Sequence, residues 1–225
     1  MAPTCSRPET SRPASRAGST GAATAGSLPR PTPRTCAMPC APRPRQRQGG
    51  AEVPSIGERA PAFQLPDTQG SMHQPDGAPA TVVVFTCNHC PYALAWHDRI
   101  IAVANDYADQ GVRTLAINPN DAERYPRDSP EAMRARVDDG EFDGVPYLRD
   151  ESQDVARAYD ARTTPDLFVI DADGILRYRG APDSDHDDPA QNAAWLRAAL
   201  DAVLAGRVPD PQDTRPVGCS IKWRG

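Results

Sequence analysis

The run Thr81-Val82-Val83-Val84-Phe85 narrows the possible folds of this chain more than any other stretch. Its β-branched and aromatic residues follow one another without the polar alternation of a half-exposed strand. Such a run reads as a strand buried on both faces, and therefore as the centre of a sheet. It leads directly into Cys87-Asn88-His89-Cys90, and beyond that Trp96, Ile100, Val103 and Tyr107 recur on one helical face. A helix is expected from the cysteines to about Tyr107, so the cysteine pair falls where a buried strand gives way to a helix.

Further elements alternate along the chain. Gly111 ends the connection, and Val112 to Ile117 reads as a strand. Ser129 is an N-cap followed by Pro130 at the first helical position, predicting a helix to about Asp138. Ser152 to Tyr159 makes a shorter helix. Asp166 to Ile170 and Ile175 to Arg179 flank Asp171-Ala172-Asp173-Gly174, a hairpin signal in which Gly174 supplies the positive φ. A calcium loop at the same aspartates lacks the later acidic ligand. The last helix is expected from about Pro189 to Ala205, stopped by Gly206. The sum is an α/β chain whose mixed central sheet is flanked by helices.

Composition divides the chain. The first fifty residues hold eight arginines, nine prolines and one acidic residue, whereas the remainder holds 17 basic against 29 acidic residues. Residues 1–52 are expected to be a disordered basic Pro/Arg-rich tail, and residues 53–225 a single domain. The acidic body, with Lys222 its one lysine, argues against a nucleic-acid partner. No apolar run approaches the roughly 18 residues of a membrane span, so no membrane partner is expected. No apolar stretch follows Arg7, Arg12 and Arg16, so no export signal is read and a cytoplasmic location is expected. In that reducing setting the six cysteines do not suggest a disulfide scaffold.

The cysteines differ in their surroundings. Cys5, Cys36 and Cys40 lie in the tail and read as incidental. At the strand-to-helix junction, the positive end of the helix would favour a thiolate, and two intervening residues would bring the sulfurs within bonding distance across one helical turn. Cys87, at the expected exposed end, is assigned as the attacking thiolate; Cys90, one turn in, as the resolving cysteine. His89 either favours the Cys87 thiolate as a cation or donor, or is an exposed histidine of little influence. Cys219, near the end of the chain, reads either as a third redox partner in a mobile tail folding over the site or as an inert cysteine. The acidic run Asp183 to Asp188 reads as a solvated loop before the last helix.

This cysteine pair at a strand-to-helix junction, with Thr164-Pro165 entering a later strand and hairpin, resembles the thioredoxin-like superfamily. Ile56-Gly57, Ala60-Pro61-x-Phe63-x-Leu65 with Asp67, and Tyr178-Arg179-Gly180 resemble its redoxin branch, related to the alkyl hydroperoxide reductase/thiol-specific antioxidant (AhpC/TSA) group. Cys87 to Tyr92 and Pro216 to Trp223 look like a bacterial subgroup labelled only "thioredoxin family protein". The resemblance implies a thioredoxin-like three-layer fold and a thiol-disulfide oxidoreductase acting through Cys87 and Cys90. It also implies a cis Thr164-Pro165 bond beside the pair, presenting the Thr164 backbone to an extended substrate chain, with Thr164, Pro165 and Thr86 as substrate-binding residues. The implied partners are a protein or small-molecule disulfide, or a peroxide, and a thiol reductant; no cofactor or metal is expected.

Some positions depart from the relatives. Thr81 stands where thioredoxins place a buried acid, Ala93 where cytochrome-maturation relatives place a glutamate, and Thr86 where a tryptophan commonly precedes the first cysteine. Proton handling at Cys90 is left with His89 and water as candidates. A peroxiredoxin-like peroxidase is the alternative: Pro91 follows Cys90 as such enzymes require, but Thr86 is four residues before it rather than three. A copper- or zinc-binding module is a third reading, against which the inter-cysteine spacing is one residue shorter than in copper-delivery proteins of this fold.

Overall fold

The structure is a computed structural model and describes residues 54–225. The expected tail over residues 1–52, with Cys5, Cys36 and Cys40, lies outside the described residues. The buried run forms β3 (Ala80–Phe85), in which every residue is buried. It is the middle strand of a five-stranded sheet with β4 (Arg113–Asn118) and β5 (Tyr147–Arg149) on one side and β7 (Asp166–Asp171) and β8 (Leu176–Gly180) on the other. β3 runs parallel to β4 and antiparallel to β7, and β4 is parallel to β5, so the sheet is mixed as expected.

Alternation along β3 sends its side chains into two cores. Val82 and Val84 meet Trp96, Ile100 and Val103 of α1 (Pro91–Ala108) and Leu196 and Leu200 of α4 (Ala194–Leu204). Val83 and Phe85 face the other way, onto Tyr159, Phe168 and Ile221, with Ala156 from α3 (Asp154–Ala158). Burial of each large aliphatic side chain stabilises the fold by about 1.5–3 kcal/mol, which is why an uninterrupted apolar run commits to the sheet centre. α2 (Pro130–Asp138) packs Met133 against Ala116 and Tyr147 near the β5 edge. Ser129 caps α2, accepting from the Ala132 N–H. The hairpin joins β7 to β8, with Asp171 Oδ1 accepting from the Asp173 and Ile175 N–H groups.

Two helix starts differ from expectation. α1 begins at Pro91, not at the cysteines: Cys90 is its N-cap, with extended backbone at φ −75° and ψ 123°. Proline restricts the residue before it to such a conformation, so Pro91 excludes Cys90 from the helix. α4 begins at Ala194 rather than near Pro189, because Ala193 before it is left-handed at φ 60° and donates its N–H to Asp183; the acidic run further back wraps around Arg99. Its guanidinium pairs with Asp183 and donates to the carbonyls of Asp185, His186 and Asp188. Asp183 also accepts from Trp96 Nε1 and from the Ala193 N–H. The acidic run is thus a loop built on a buried aspartate and an internal cation.

Four two-residue strands had no sequence signal. β1 (Leu65–Pro66) pairs with β2 (Met72–His73), and β6 (Thr163–Thr164) with β9 (Cys219–Ser220), both antiparallel.

Candidate active site

β3 ends at Phe85, and the Thr86 N–H donates to the Ile117 carbonyl, carrying the chain one step further along the sheet. Residues 87–90 then turn between β3 and α1, held by the middle of the motif. The Asn88 N–H donates to Asp128 Oδ1 at 2.7 Å, Asn88 Nδ2 donates to the Arg127 carbonyl, and the Tyr147 hydroxyl donates to Asn88 Oδ1 at 2.8 Å.

Both sulfurs are inside. Cys87 is 1% exposed and Cys90 0%, so the expectation of an exposed Cys87 is corrected: with α1 starting only at Pro91, the pair lies beneath the turn instead of along a helix. Both are free thiols, as is Cys219. Cys87 Sγ lies 3.2 Å from Thr164 Oγ1, and the Cys90 thiol donates to the Thr164 carbonyl at 2.9 Å.

Of the two, Cys90 is the thiol that ionises more readily, giving up the proton it otherwise donates to the Thr164 carbonyl. Contact with the Cys87 thiol, which donates to it, draws the Cys90 thiol down to about 4. The Ala93 N–H in the first helical turn and the Cys219 N–H, 3.4 Å from Cys90 Sγ, act in the same direction. Cys87 is pushed up, first as the donor in that contact, then by burial and by the nearby Asp128 carboxylate. The expectation placed the thiolate on Cys87; the contact between the two sulfurs, with Cys87 as donor, favours ionisation of Cys90 instead.

Asp128 was not singled out by the sequence reading. Fully buried in the short 3-10 turn Pro126–Asp128, it accepts from Asn88 N–H, Asn118 Nδ2 and Asn120 Nδ2. His89 Nδ1 sits 2.7 Å from Asp128 Oδ2, within ion-pair distance but out of line for a hydrogen bond. His89 therefore turns toward a carboxylate, and its ring stacks on Tyr125. Donor atoms of Cys87, His89 and Asp128 lie within 4.8 Å of one another, while both Asp128 oxygens are already engaged by asparagines. The one forward signal for Asp128 was its place just before the Ser129 cap; the approach to Asn88, forty residues earlier, has no local sequence mark.

The Thr164-Pro165 bond is cis and lies against the pair. The hydroxyl that reaches Cys87 is that of Thr164; Thr86 is buried one residue before the motif. The backbone edge expected to receive a substrate chain is already paired, Thr163 with Ser220 and Thr164 with Cys219. Cys219 is half-buried and packs against the cysteine pair. It is not on a loose tail. On one side Thr214 is held by Tyr178 and Ala181; on the other Ile221 is buried and the Lys222 N–H donates to Asn120 Oδ1. Among the described residues, no helix is long and apolar enough to cross a membrane.

Residues 56–179 match the model of the AhpC/TSA family. No curated protein matches the chain. Among solved structures, an uncharacterized conserved protein from Geobacillus kaustophilus is 41% identical, with 76% of this chain and 93% of that one covered at a TM-score of 0.71. A hypothetical protein from Sinorhizobium meliloti 1021 is 37% identical, over 77% of this chain and 97% of that one, at a TM-score of 0.72. A candidate thiol:disulfide interchange protein from Chlorobium tepidum is similar in fold, at 21% identity and a TM-score of 0.54 over 68% of this chain and 99% of that one.

Proposed function

The chain belongs to the AhpC/TSA family of thioredoxin-like redoxins, and on that premise we propose that it is a thiol-disulfide oxidoreductase whose reacting groups are Cys87 and Cys90, at work in the cytoplasm. The observation that carries this reading is the pair of buried, mutually contacting free thiols at the start of α1. A thiolate attacks a disulfide sulfur; the mixed disulfide so formed is resolved by the second thiol, leaving Cys87 and Cys90 oxidised and the substrate reduced to two thiols. A thiol reductant returns the pair to its starting state.

The surroundings suit this cycle. The Thr164 hydroxyl faces Cys87 and the Thr164 carbonyl accepts from Cys90 until that thiol ionises, so each sulfur has a partner before it reacts. Asp128, with His89 beside it, supplies the buried carboxylate that Thr81 and Ala93 do not, and we assign to that pair the handling of the Cys87 proton. Thr164, Pro165 and Thr86 remain the residues proposed to shape the substrate side.

The test compares Cys87→Ser and Cys90→Ser with the wild-type chain in the reduction of glutathione disulfide and of insulin, and follows thiolate absorbance against pH. Wild-type protein should reduce a disulfide, both substitutions should abolish turnover, and only Cys90→Ser should remove the thiolate that persists near pH 5. Turnover unaffected by Cys90→Ser would overturn the proposal. Peroxide consumption that depends on Cys90, without disulfide exchange, would replace it with the peroxidase reading.

A further inference from the structure

An unusual feature of the site is that the chain covers it with itself. β9 lies along β6, where an extended chain approaching the cysteine pair would have to pair. Cys219 stands directly opposite Thr164, and residues opposite one another in an antiparallel ladder carry their side chains on the same face. The Thr164 side chain on that face touches Cys87, so the register turns Cys219 toward the pair. A slip of one residue would point it away.

The approach is close by construction. A Cβ on Gly218 would come within 2.3 Å of the Thr164 carbonyl oxygen, so only glycine lets the strand lie down at this point. The Cys219 N–H is 3.4 Å from Cys90 Sγ, and the Cys219 thiol, pushed up to about 11 by burial and by donating to Cys90, has that sulfur as the acceptor for its proton. Cys90 is therefore the middle sulfur of three. The outer two differ in access: Cys87 is 1% exposed, while Cys219 is half-buried and, of the three described cysteines, has the greatest reach to solvent.

We infer that Cys219 is the thiol through which disulfides in solution exchange with the buried Cys87–Cys90 pair, and that the substrates are disulfides met at Cys219 rather than extended polypeptides laid along β6. The inference rests on the oxidoreductase reading above. In the reducing direction Cys219 sulfur attacks the external disulfide; its proton passes to the Cys90 thiolate, and one substrate thiolate leaves. Cys90 sulfur then attacks Cys219 sulfur, forming a Cys90–Cys219 disulfide, and its proton departs with the second substrate thiol. Finally Cys87 sulfur attacks Cys90, the Cys90–Cys219 bond breaks, and the Cys87 proton passes to Cys219. The substrate has gained two electrons and the pair has lost two; Cys219 ends as it began. Reduction of the pair by an external thiol runs through the same bonds in reverse.

The test uses the full chain with Cys5, Cys36 and Cys40 replaced by serine. Glutathione disulfide is added, and Cys87–Cys90 disulfide formation is followed by alkylation and mass spectrometry of peptides. Cys219→Ser should slow formation of that bond by about ten-fold or more, because exchange rate follows access to the attacking sulfur, while leaving the fully oxidised end state unchanged. Gly218→Val, which retains Cys219 but lifts β9 from Thr164, should slow it comparably. With Cys87→Ser, the step cannot finish and the Cys90–Cys219 disulfide should accumulate. An unchanged rate in Cys219→Ser, or Cys219 remaining fully alkylatable in Cys87→Ser, would overturn the relay while leaving the pair's own chemistry in place. Failure of the unsubstituted pair to form any Cys87–Cys90 disulfide would instead overturn the oxidoreductase reading on which it rests.

Discussion

Two buried aspartates flank the end of β3 on opposite sides, and they are held differently. Asp128, on the β4 side, has both oxygens engaged: the Asn88 N–H and Asn118 Nδ2 donate to Oδ1, Asn120 Nδ2 donates to Oδ2, and His89 lies alongside. Asp166, on β7 just after the cis bond, receives one N–H from Arg162, and its Oδ1 has no hydrogen-bond partner. Burial raises the Asp166 carboxyl to about 7, opposed by the Arg162 N–H and by the charges of Arg179 and Arg162. Equal burial therefore gives unequal chemistry. A carboxylate fully met by donors organises a loop, whereas one met by a single donor remains costly to ionise.

The largest expected effect comes from removing the organised side. Asp128→Ala leaves the Asn88 N–H and the Asn120 amide buried without acceptors, while Asn118 keeps the Tyr147 hydroxyl, and should cost about 3–5 kcal/mol in urea unfolding. It should also slow disulfide exchange, because Asn88 holds the turn between the cysteines. A loss below about 1 kcal/mol would mean that the turn is held by its other contacts, those to Tyr147 and Arg127.

Asp166 tests the opposite case. Its folded-state value lies above the ordinary 3.8, so the unfolded chain ionises first. Stability present at low pH is therefore lost as pH rises from about 4 to about 7, and the loss is complete above that range. Asp166→Asn removes the titration. Unfolding measured at pH 4 and pH 8 should show the variant gaining about 3–4 kcal/mol on the wild type between the two, and a pH-independent difference would refute the assignment. The smallest effect is expected at His89, whose side chain is partly exposed and poorly aligned with Asp128. His89→Ala should change stability by less than about 1 kcal/mol; a larger change would make the histidine an integral part of the Asp128 cluster.

The parts of the fold legible in advance were those written in local patterns. A two-faced apolar run marked β3, helical periodicity marked α1, the Ser129-Pro130 pair marked α2, and an Asp-x-Asp-Gly turn marked the hairpin. The start of α4 falls later than expected because nothing local marks Ala193 as left-handed, with its N–H held by Asp183 ten residues earlier. Cys87, Cys90, Thr164 and Pro165 were legible as a group through their spacing and family resemblance. Asn88 was overlooked as the middle of a motif read for its ends, and Asp128 because its partners are remote in sequence.

What the sequence determined by itself was the central strand, the junction that carries the cysteines, and the proline that follows them. Each is a property of adjacent residues: β-branched runs extend, and Pro91 bars its predecessor from the helix. Tertiary structure decided which sulfur ionises more readily, which carboxylate is satisfied, and what lies along β6. Those depend on Thr164, Asp128, Gly218 and Cys219 arriving from distant points on the chain, where hydrogen-bond geometry and exclusion of water, rather than neighbouring residues, set the free energy of a proton.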